Sequence, residues 1–332
     1  MQKPKLERKC FMTHLEKLQK DFINLRTGTL IHFNSATIQF CQGNIEDWEF
    51  GHENNGEPRL HPFDEKAWNP VNIDCRAWAD TAKAGGSRFA AYTAKHHEGF
   101  CTWPTEYTEH CVRNATNKTD VVKEYLTAFR EAGIVAGLYF SILDITAGIN
   151  RKGITEEQKT MIKGELTELL SNYGEIPFIM FDGWNSPWGG PSYEMLPFEE
   201  INNLIKSLQP DCLAMVIGWN EDIKHSDICF YEGGAGQQIA DGFNGPGIFC
   251  QKLTDTWFWR TGHPTAPLHS IDTVMEMIED CFAHNVNFCN NISPNRDGGI
   301  DENLMQGLTD VGKRIVYPPS LGEGLPDGWM TC

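Results

Sequence analysis

Two carboxylates stand where a strand would deliver them into a turn. Asp182 closes the apolar run PFIMFD (177–182) and is followed by Gly183 and Trp184, while Glu232 closes DICFYE (227–232) and opens into Gly233-Gly234-Ala235-Gly236. An aspartate so placed also reads as a turn or helix cap, an alternative that fits a glutamate poorly. Two carboxyl groups on separate strand ends suit cleavage of a glycosidic bond, one attacking or activating water and the other protonating the leaving oxygen. Enolisation or metal-assisted hydrolysis would normally bring a lysine base or further carboxylate ligands.

The run Lys95-His96-His97-Glu98-Gly99-Phe100 follows another apolar stretch, RFAAYTA (88–94). Neighbouring residues of a strand face opposite ways, and no HExxH pattern or third clustered histidine accompanies the pair, so no metal is expected. Neutral imidazoles offer one donor and one acceptor each, which suits sugar hydroxyls; a core histidine bonded to backbone is the plain alternative for one of them. The glycines at 233, 234 and 236 form neither a GxGxxG nor a Walker loop, so no nucleotide cofactor is implied. Trp48, Trp103, Trp184, Trp188, Trp219, Trp257 and Trp259 all fall in loops or at strand ends. Each alone reads as core or rim, but together at one face they would serve as platforms for sugar rings.

These residues need a scaffold that gathers strand ends. Eight β-type runs occur: 29–33, 88–94, 135–142, 177–182, 213–218, 227–232, 247–253 and 286–292. Between them lie amphipathic stretches with helix signals, such as Asp120 before and Gly133 after TDVVKEYLTAFREAG, and Thr155 with Gln158 ahead of TEEQKTMIKGELTELLSNYG. Strand–helix alternation with eight strands predicts an α/β fold, a (β/α)8 TIM-like barrel in a single domain, with an open doubly wound sheet as the alternative. The expected boundaries are an N-terminal helical extension over 1–28, the barrel over 29–318 and a C-terminal tail over 319–332. Residues 36–72 read as polar loop, leaving the first crossover weak. In a barrel, chemistry collects at the C-terminal strand ends. His32, Lys95 to Glu98, Ser141, Asp144, Asp182, Glu232, Asn290 and Asn291 all fall there; Asn290 to Gly299 reads as a closing turn.

Composition narrows the partners. The 332 residues carry 28 Lys+Arg against 45 Asp+Glu, a net charge of −17, which repels nucleic acid and anionic membranes. No run of about 20 apolar residues occurs, so no helix is expected to span a bilayer. The start lacks the apolar core of a secretory signal, which points to the cytoplasm for a native N-terminus and to the periplasm or exterior for a processed one. Eleven cysteines at scattered spacings, without a Cys-x-x-Cys pair, read as reduced packing thiols. The triplets at Asn114 and Asn117 are glycosylation-type and pull the other way.

In order along the chain, KHHEGF, WPTEYTEHCV, TDVVKEY, GLYFS, FDG and NISPNRDGGI resemble the signature of the α-L-fucosidases of glycoside hydrolase family 29, from about Thr29 to about Ile315. The resemblance implies a (β/α)8-like barrel without a metal, acting on terminal α-linked L-fucose of oligosaccharides or glycoconjugates with retention, through a fucosyl-enzyme. It assigns Asp182 as nucleophile and Glu232 as acid/base, with Glu221 in reserve. His32, Trp48, His96, His97, Tyr139 and Trp257 would contact the sugar. Departures fall at Asn34, where the family usually has Gly, at Met180, where it has Trp, and at Trp219, where an arginine is common. The β-sandwich that often follows the barrel is expected to be missing. These differences keep two further readings open, a related α-L-glycosidase acting on L-galactosides and a fucose-binding homologue without catalysis.

Overall fold

Eight strands line up with the eight runs read from the sequence: β1 Thr27–Ile31, β2 Phe89–Lys95, β3 Val135–Ser141, β4 Phe178–Asp182, β5 Leu213–Val216, β6 Cys229–Glu232, β7 Gly247–Gln251 and β8 Val286–Ile292. The structure is a computed structural model and describes residues 12–39, 53–54, 57–58, 63–187, 189–217 and 223–331. Among the described residues the strand pairings in the large sheet are parallel, in the order β5-β4-β3-β2-β1-β8-β7-β6. The first and last strands lie side by side, with Leu30 opposite Asn291, which an open doubly wound sheet does not allow.

Closure at the remaining seam, β5 against β6, uses side chains. The Asp227 N–H donates to the Ala214 carbonyl at 2.7 Å, and the Ala214 N–H donates to Asp227 Oδ2 at 2.8 Å. One step along, the Val216 N–H donates to Ser226 Oγ at 2.9 Å. Ser226 and Asp227 thus satisfy edge groups that a ladder would otherwise pair. This also explains why β6 begins at Cys229 and not at Asp227.

Helices α1 His14–Ile23, α2 Ser35–Gln39, α3 Cys75–Ala84, α4 Val121–Glu131, α5 Glu156–Asn172, α6 Phe198–Leu208, α7 Ile271–Ala283 and α8 Glu302–Gly312 surround the sheet. Asp120 caps α4 through the Lys123 N–H, and Thr155 with Gln158 forms a capping box on α5. Two departures from strict alternation appear. Between β5 and β7 no α-helix occurs among the described residues, only a 3-10 turn at Gly233–Ala235. Within 36–72, read as loop, α2 forms a short helix whose Ser35 N–H is taken by Asn34 Oδ1 at 2.6 Å.

Side-chain alternation splits the apolar residues into two cores. Inside the barrel lie Leu30, Phe89, Ala91, Tyr139, Phe178, Met180, Phe230, Ile248, Cys250 and Cys289; outside, against the helices, lie Ile31, Tyr92, Leu138, Ile179, Phe181, Tyr231 and Phe288. The lumen is tight: a Cβ on Gly137 would sit 2.5 Å from the Phe178 ring. At the N-terminal ends of the strands α1 forms a plug, its Phe22 ring 4.9 Å from Phe89 and 5.3 Å from Phe178. Asn287, inside β8, donates to the Phe22 carbonyl and accepts from the Arg26 N–H, fixing the plug.

Asp227 is buried and also holds Lys206 Nζ at 2.8 Å. Replacing it by alanine strands the Ala214 N–H at the seam, so Asp227→Ala should cost about 2–4 kcal/mol. Asp227→Asn keeps an acceptor and should cost clearly less. Chemical denaturation midpoints of both variants check this; equal losses would mean that the carboxylate does not close the seam.

Candidate active site

Period-two alternation carries chemistry upward from the core. Phe178, Met180 and Asp182 share the inward face of β4, and Phe230 and Glu232 share that of β6, so each carboxylate is the next inward residue after an apolar filler. Both line one pocket at the C-terminal ends of the strands, with about 270 Å³ of empty space. Its polar wall is His32, His96, Tyr139, Asp182 and Glu232; its apolar wall is Leu30, Ile217, Phe230, Cys250 and Trp257.

Asp182 is held at both oxygens. Tyr139 Oη donates to Oδ2 at 2.6 Å and the Gly183 N–H donates to Oδ1 at 2.5 Å, while His97 Nε2 stands 3.6 Å from Oδ2. Burial, then the charge of Asp182 and the hydrogen bond to it, push the Tyr139 phenol well above its ordinary range, so it remains a donor. Glu232 is braced through its backbone, whose N–H donates to Gln237 Oε1 at 2.8 Å. The glycines after it serve close packing: a Cβ on Gly234 would lie 2.3 Å from the Trp257 indole.

The imidazoles have assignable tautomers. Asn291 Nδ2 donates to the Trp257 carbonyl at 2.7 Å, so its Oδ1 must accept from His32 Nδ1–H at 2.6 Å. That leaves His32 Nε2 as an acceptor. Burial drives the His32 pKa down to about 3 and that of His96 well below the ordinary value, so both are neutral near neutral pH. His96 stacks on Tyr139, with centroids 5.4 Å apart and planes at 9°, and Phe258 meets both His96 and His32 edge-on. The Ser141 hydroxyl donates to the Leu143 carbonyl, so His97 gives it the Nδ1 proton at 2.6 Å.

The expectation that adjacent histidines diverge needs correction. Lys95 ends β2 after a register shift, so His96 and His97 are no longer in strand geometry, and their rings lie 4.3 Å apart on the same side. Lys95 instead turns outward, its Nζ 2.6 Å from Glu165 Oε2 and 3.3 Å from Asp144 Oδ2. Asp144 therefore belongs to this buried anchor and not to the pocket. Burial ahead of the Lys95 charge moves the Glu165 carboxyl up to about 6.

Of the tryptophans, Trp257 lines the pocket. Trp103 and Trp184 do not: both are buried in the outer core, donating to Glu168 Oε2 and the Leu196 carbonyl. A lone aromatic beside a turn does not reveal which layer it enters. Trp259 donates to Asp301 Oδ2. Trp48, Trp188, Trp219 and Glu221 lie outside the described residues. Leu30, Ile217, Phe230 and Cys250 were missed, although counting back by two from each strand end would have found Phe230. The described cysteines are all buried and free. Asn114 and Asn117, read as glycosylation-type, both commit their side-chain nitrogens to carbonyls of the chain.

Residues 8–316 match the family model described as Alpha-L-fucosidase. Alpha-L-fucosidase 1 of Arabidopsis thaliana is 28% identical over 288 residues, covering 77% of this chain and 54% of its own length. The chain spans about half the length of the curated relatives matched along most of it. Among solved structures, alpha-L-fucosidase isoenzyme 1 from Paenibacillus thiaminolyticus superposes with a TM-score of 0.74 at 25% identity, over 91% of this chain and 76% of that one. An alpha-L-fucosidase from Bacteroides thetaiotaomicron, trapped as a covalent intermediate with 2-fluoro-fucosyl fluoride, shares the fold with a TM-score of 0.67 at 21% identity, over 90% and 74%.

The histidine loop has a titratable clamp. His110 Nε2 lies 2.7 Å from Glu98 Oε1 and its Nδ1 meets Glu65, while Glu98 also takes the Thr146 hydroxyl and the Phe100 N–H. Burial opposes the imidazolium, but the hydrogen bonds and charges of Glu98 and Glu65 outweigh it and raise the His110 pKa from 6.5 to about 9. Stabilisation from the clamp is therefore full below about pH 6.5 and lost as pH rises through about 9. The gap in unfolding free energy between the wild type and His110→Gln, from chemical denaturation, should be widest near pH 6, at no more than roughly 3 kcal/mol, and should close by pH 10. A gap independent of pH would rule out the charged clamp.

Proposed function

The chain belongs to the α-L-fucosidase family along nearly all of its length, and from that premise we propose that it is a retaining exo-α-L-fucosidase with Asp182 as nucleophile and Glu232 as acid/base. The observation carrying this reading is that both carboxylates line one pocket, delivered from β4 and β6. A fucose-binding protein without catalysis would have no use for that pair. Fucosylated oligosaccharides or glycoconjugates are the substrate class. The covalent intermediate trapped in the Bacteroides relative supports double displacement here as well.

In the first step an Asp182 oxygen attacks the anomeric carbon as the bond to the leaving oxygen breaks, and Glu232 gives that oxygen its proton. In the second, Glu232 takes a proton from water as the water oxygen displaces Asp182, releasing fucose with its α configuration restored. Tyr139 and the Gly183 N–H fix the carboxylate before attack and receive it back after hydrolysis. His32 Nε2, an acceptor by elimination, suits a sugar hydroxyl. The apolar wall of Leu30, Ile217 and Phe230 favours a 6-deoxy sugar, since the extra hydroxyl of L-galactose would lose water there without a partner.

Asp182→Ala should lower kcat/KM on nitrophenyl α-L-fucoside by roughly a thousandfold or more with the fold intact. Glu232→Ala should lose turnover that added azide restores, forming α-fucosyl azide. Undiminished activity in Asp182→Ala, or β-fucose as the first product by proton NMR, would sink the assignment. Tyr139→Phe keeps the ring on His96 but removes one hydrogen bond to a charged group, about 1.5–3 kcal/mol. Its kcat should fall about 10–100-fold with KM little changed; a loss confined to KM would mean that Tyr139 binds sugar without orienting Asp182.

A further inference from the structure

Two thiols sit together in the barrel interior with no part in the proposed reaction. Cys250 on β7 and Cys289 on β8 are register partners on adjacent parallel strands, and both side chains belong to the inner core. Cys250 lines the sugar pocket, and it is the register partner of Glu232 on its other side. Neither is in a disulfide. The other adjacent cysteine pair among the described residues, Cys101 and Cys111, lies in the outer core, away from the pocket.

Adjacent strands run about 4.7–4.9 Å apart, whereas a disulfide wants Cβ atoms about 3.5–4.5 Å apart, so direct oxidation would have to pull β7 and β8 together. An atom inserted between the sulfurs, with sulfur bonds of about 2.3 Å as in metal thiolates, relieves that demand. Burial and then the neighbouring Cys289 thiol push the Cys250 thiol far up, so Cys250 remains protonated and responds slowly to alkylating agents, which need thiolate, and Cys289 beside it is fully buried. A thiophile that carries its own oxygen can take up the protons as water.

We propose that Cys250 and Cys289 form a dithiol site in the pocket wall for soft thiophilic centres, trivalent arsenicals above all, and that filling it blocks the pocket. With phenylarsine oxide the step is one condensation: two S–H bonds break, two As–S bonds form, and the arsenic-bound oxygen leaves as one water. No oxidant is involved. The bridged arsenic and its phenyl group would project beside Glu232, where the sugar must sit.

The test treats the intact protein with one equivalent of phenylarsine oxide and reads it twice. Intact mass should rise by one phenylarsenic unit less two hydrogens, with peptide mapping placing it on Cys250 and Cys289. Nitrophenyl fucoside hydrolysis should fall in step with the adduct, be protected by L-fucose, and return with 2,3-dimercaptopropanol but not with a monothiol. Iodoacetamide at the same concentration should leave both thiols unmodified. Cys289→Ala and Cys289→Ser, each checked for native circular dichroism, should take up no arsenic at this site and keep whatever activity they have. An adduct on Cys101 and Cys111 instead, no adduct at all, or equal sensitivity in the Cys289 variants would overturn the proposal. The mass readout does not depend on the fucosidase assignment, so failure of one is distinguishable from failure of the other.

Discussion

A strand in a closed ring has only two places to put a side chain, the lumen or the helical layer, and the choice alternates without exception along regular geometry. The pocket depends on that constraint. Phe178 and Met180 commit β4 to filling the lumen, so the next inward position, Asp182, has to emerge at the top of the fill; Phe230 does the same for Glu232. Where a strand slips out of register, as β2 does between Thr93 and Lys95, the residues after it escape the alternation, and both histidines reach the same side. The pocket wall is thus assembled from one kept rule and one local breach of it.

Fixing the polar wall falls to groups that never face the pocket. The Trp257 carbonyl sets the Asn291 amide, which sets the His32 tautomer; the Leu143 carbonyl sets the Ser141 hydroxyl, which sets that of His97. Each chain ends on a backbone carbonyl that cannot flip, so His32 presents to the pocket an acceptor whose identity does not depend on the ligand. Outside the barrel, the Lys95 anchor with Glu165 and Asp144 and the His110 clamp on Glu98 hold the two ends of the same loop. Preorganisation is therefore distributed over two layers, one inside and one outside the ring.

How much of this was legible in the sequence follows the range of the interaction. All eight strands were readable because a run such as VNFCNNI fits its place by local pattern alone, and Asp182 and Glu232 were readable because they break such runs at the end. The seam was not: Ser226 and Asp227 look like the beginning of a strand until Ala214 and Val216 are known to need partners beside them. Asn291 reads as a turn residue until His32, far away in the chain, stands next to it. The misplaced Trp103 and Trp184 fail for the same reason, since Glu168 and the Leu196 carbonyl, which settle their layer, are not sequence neighbours.

The two carboxylates also differ in what stands behind them. β4 lies inside the sheet, paired on both sides, with α6 following it. β6 is a four-residue edge at the seam, with a glycine-rich turn in place of a crossover helix. A nucleophile must meet one carbon at one angle, so rigidity serves it. An acid that becomes a base must serve first a leaving oxygen and then a water at a slightly different place, and a lightly supported strand end tolerates that adjustment. The asymmetry of the scaffold therefore matches the division of labour proposed for the pair, with the better-braced wall carrying the group whose position is more demanding.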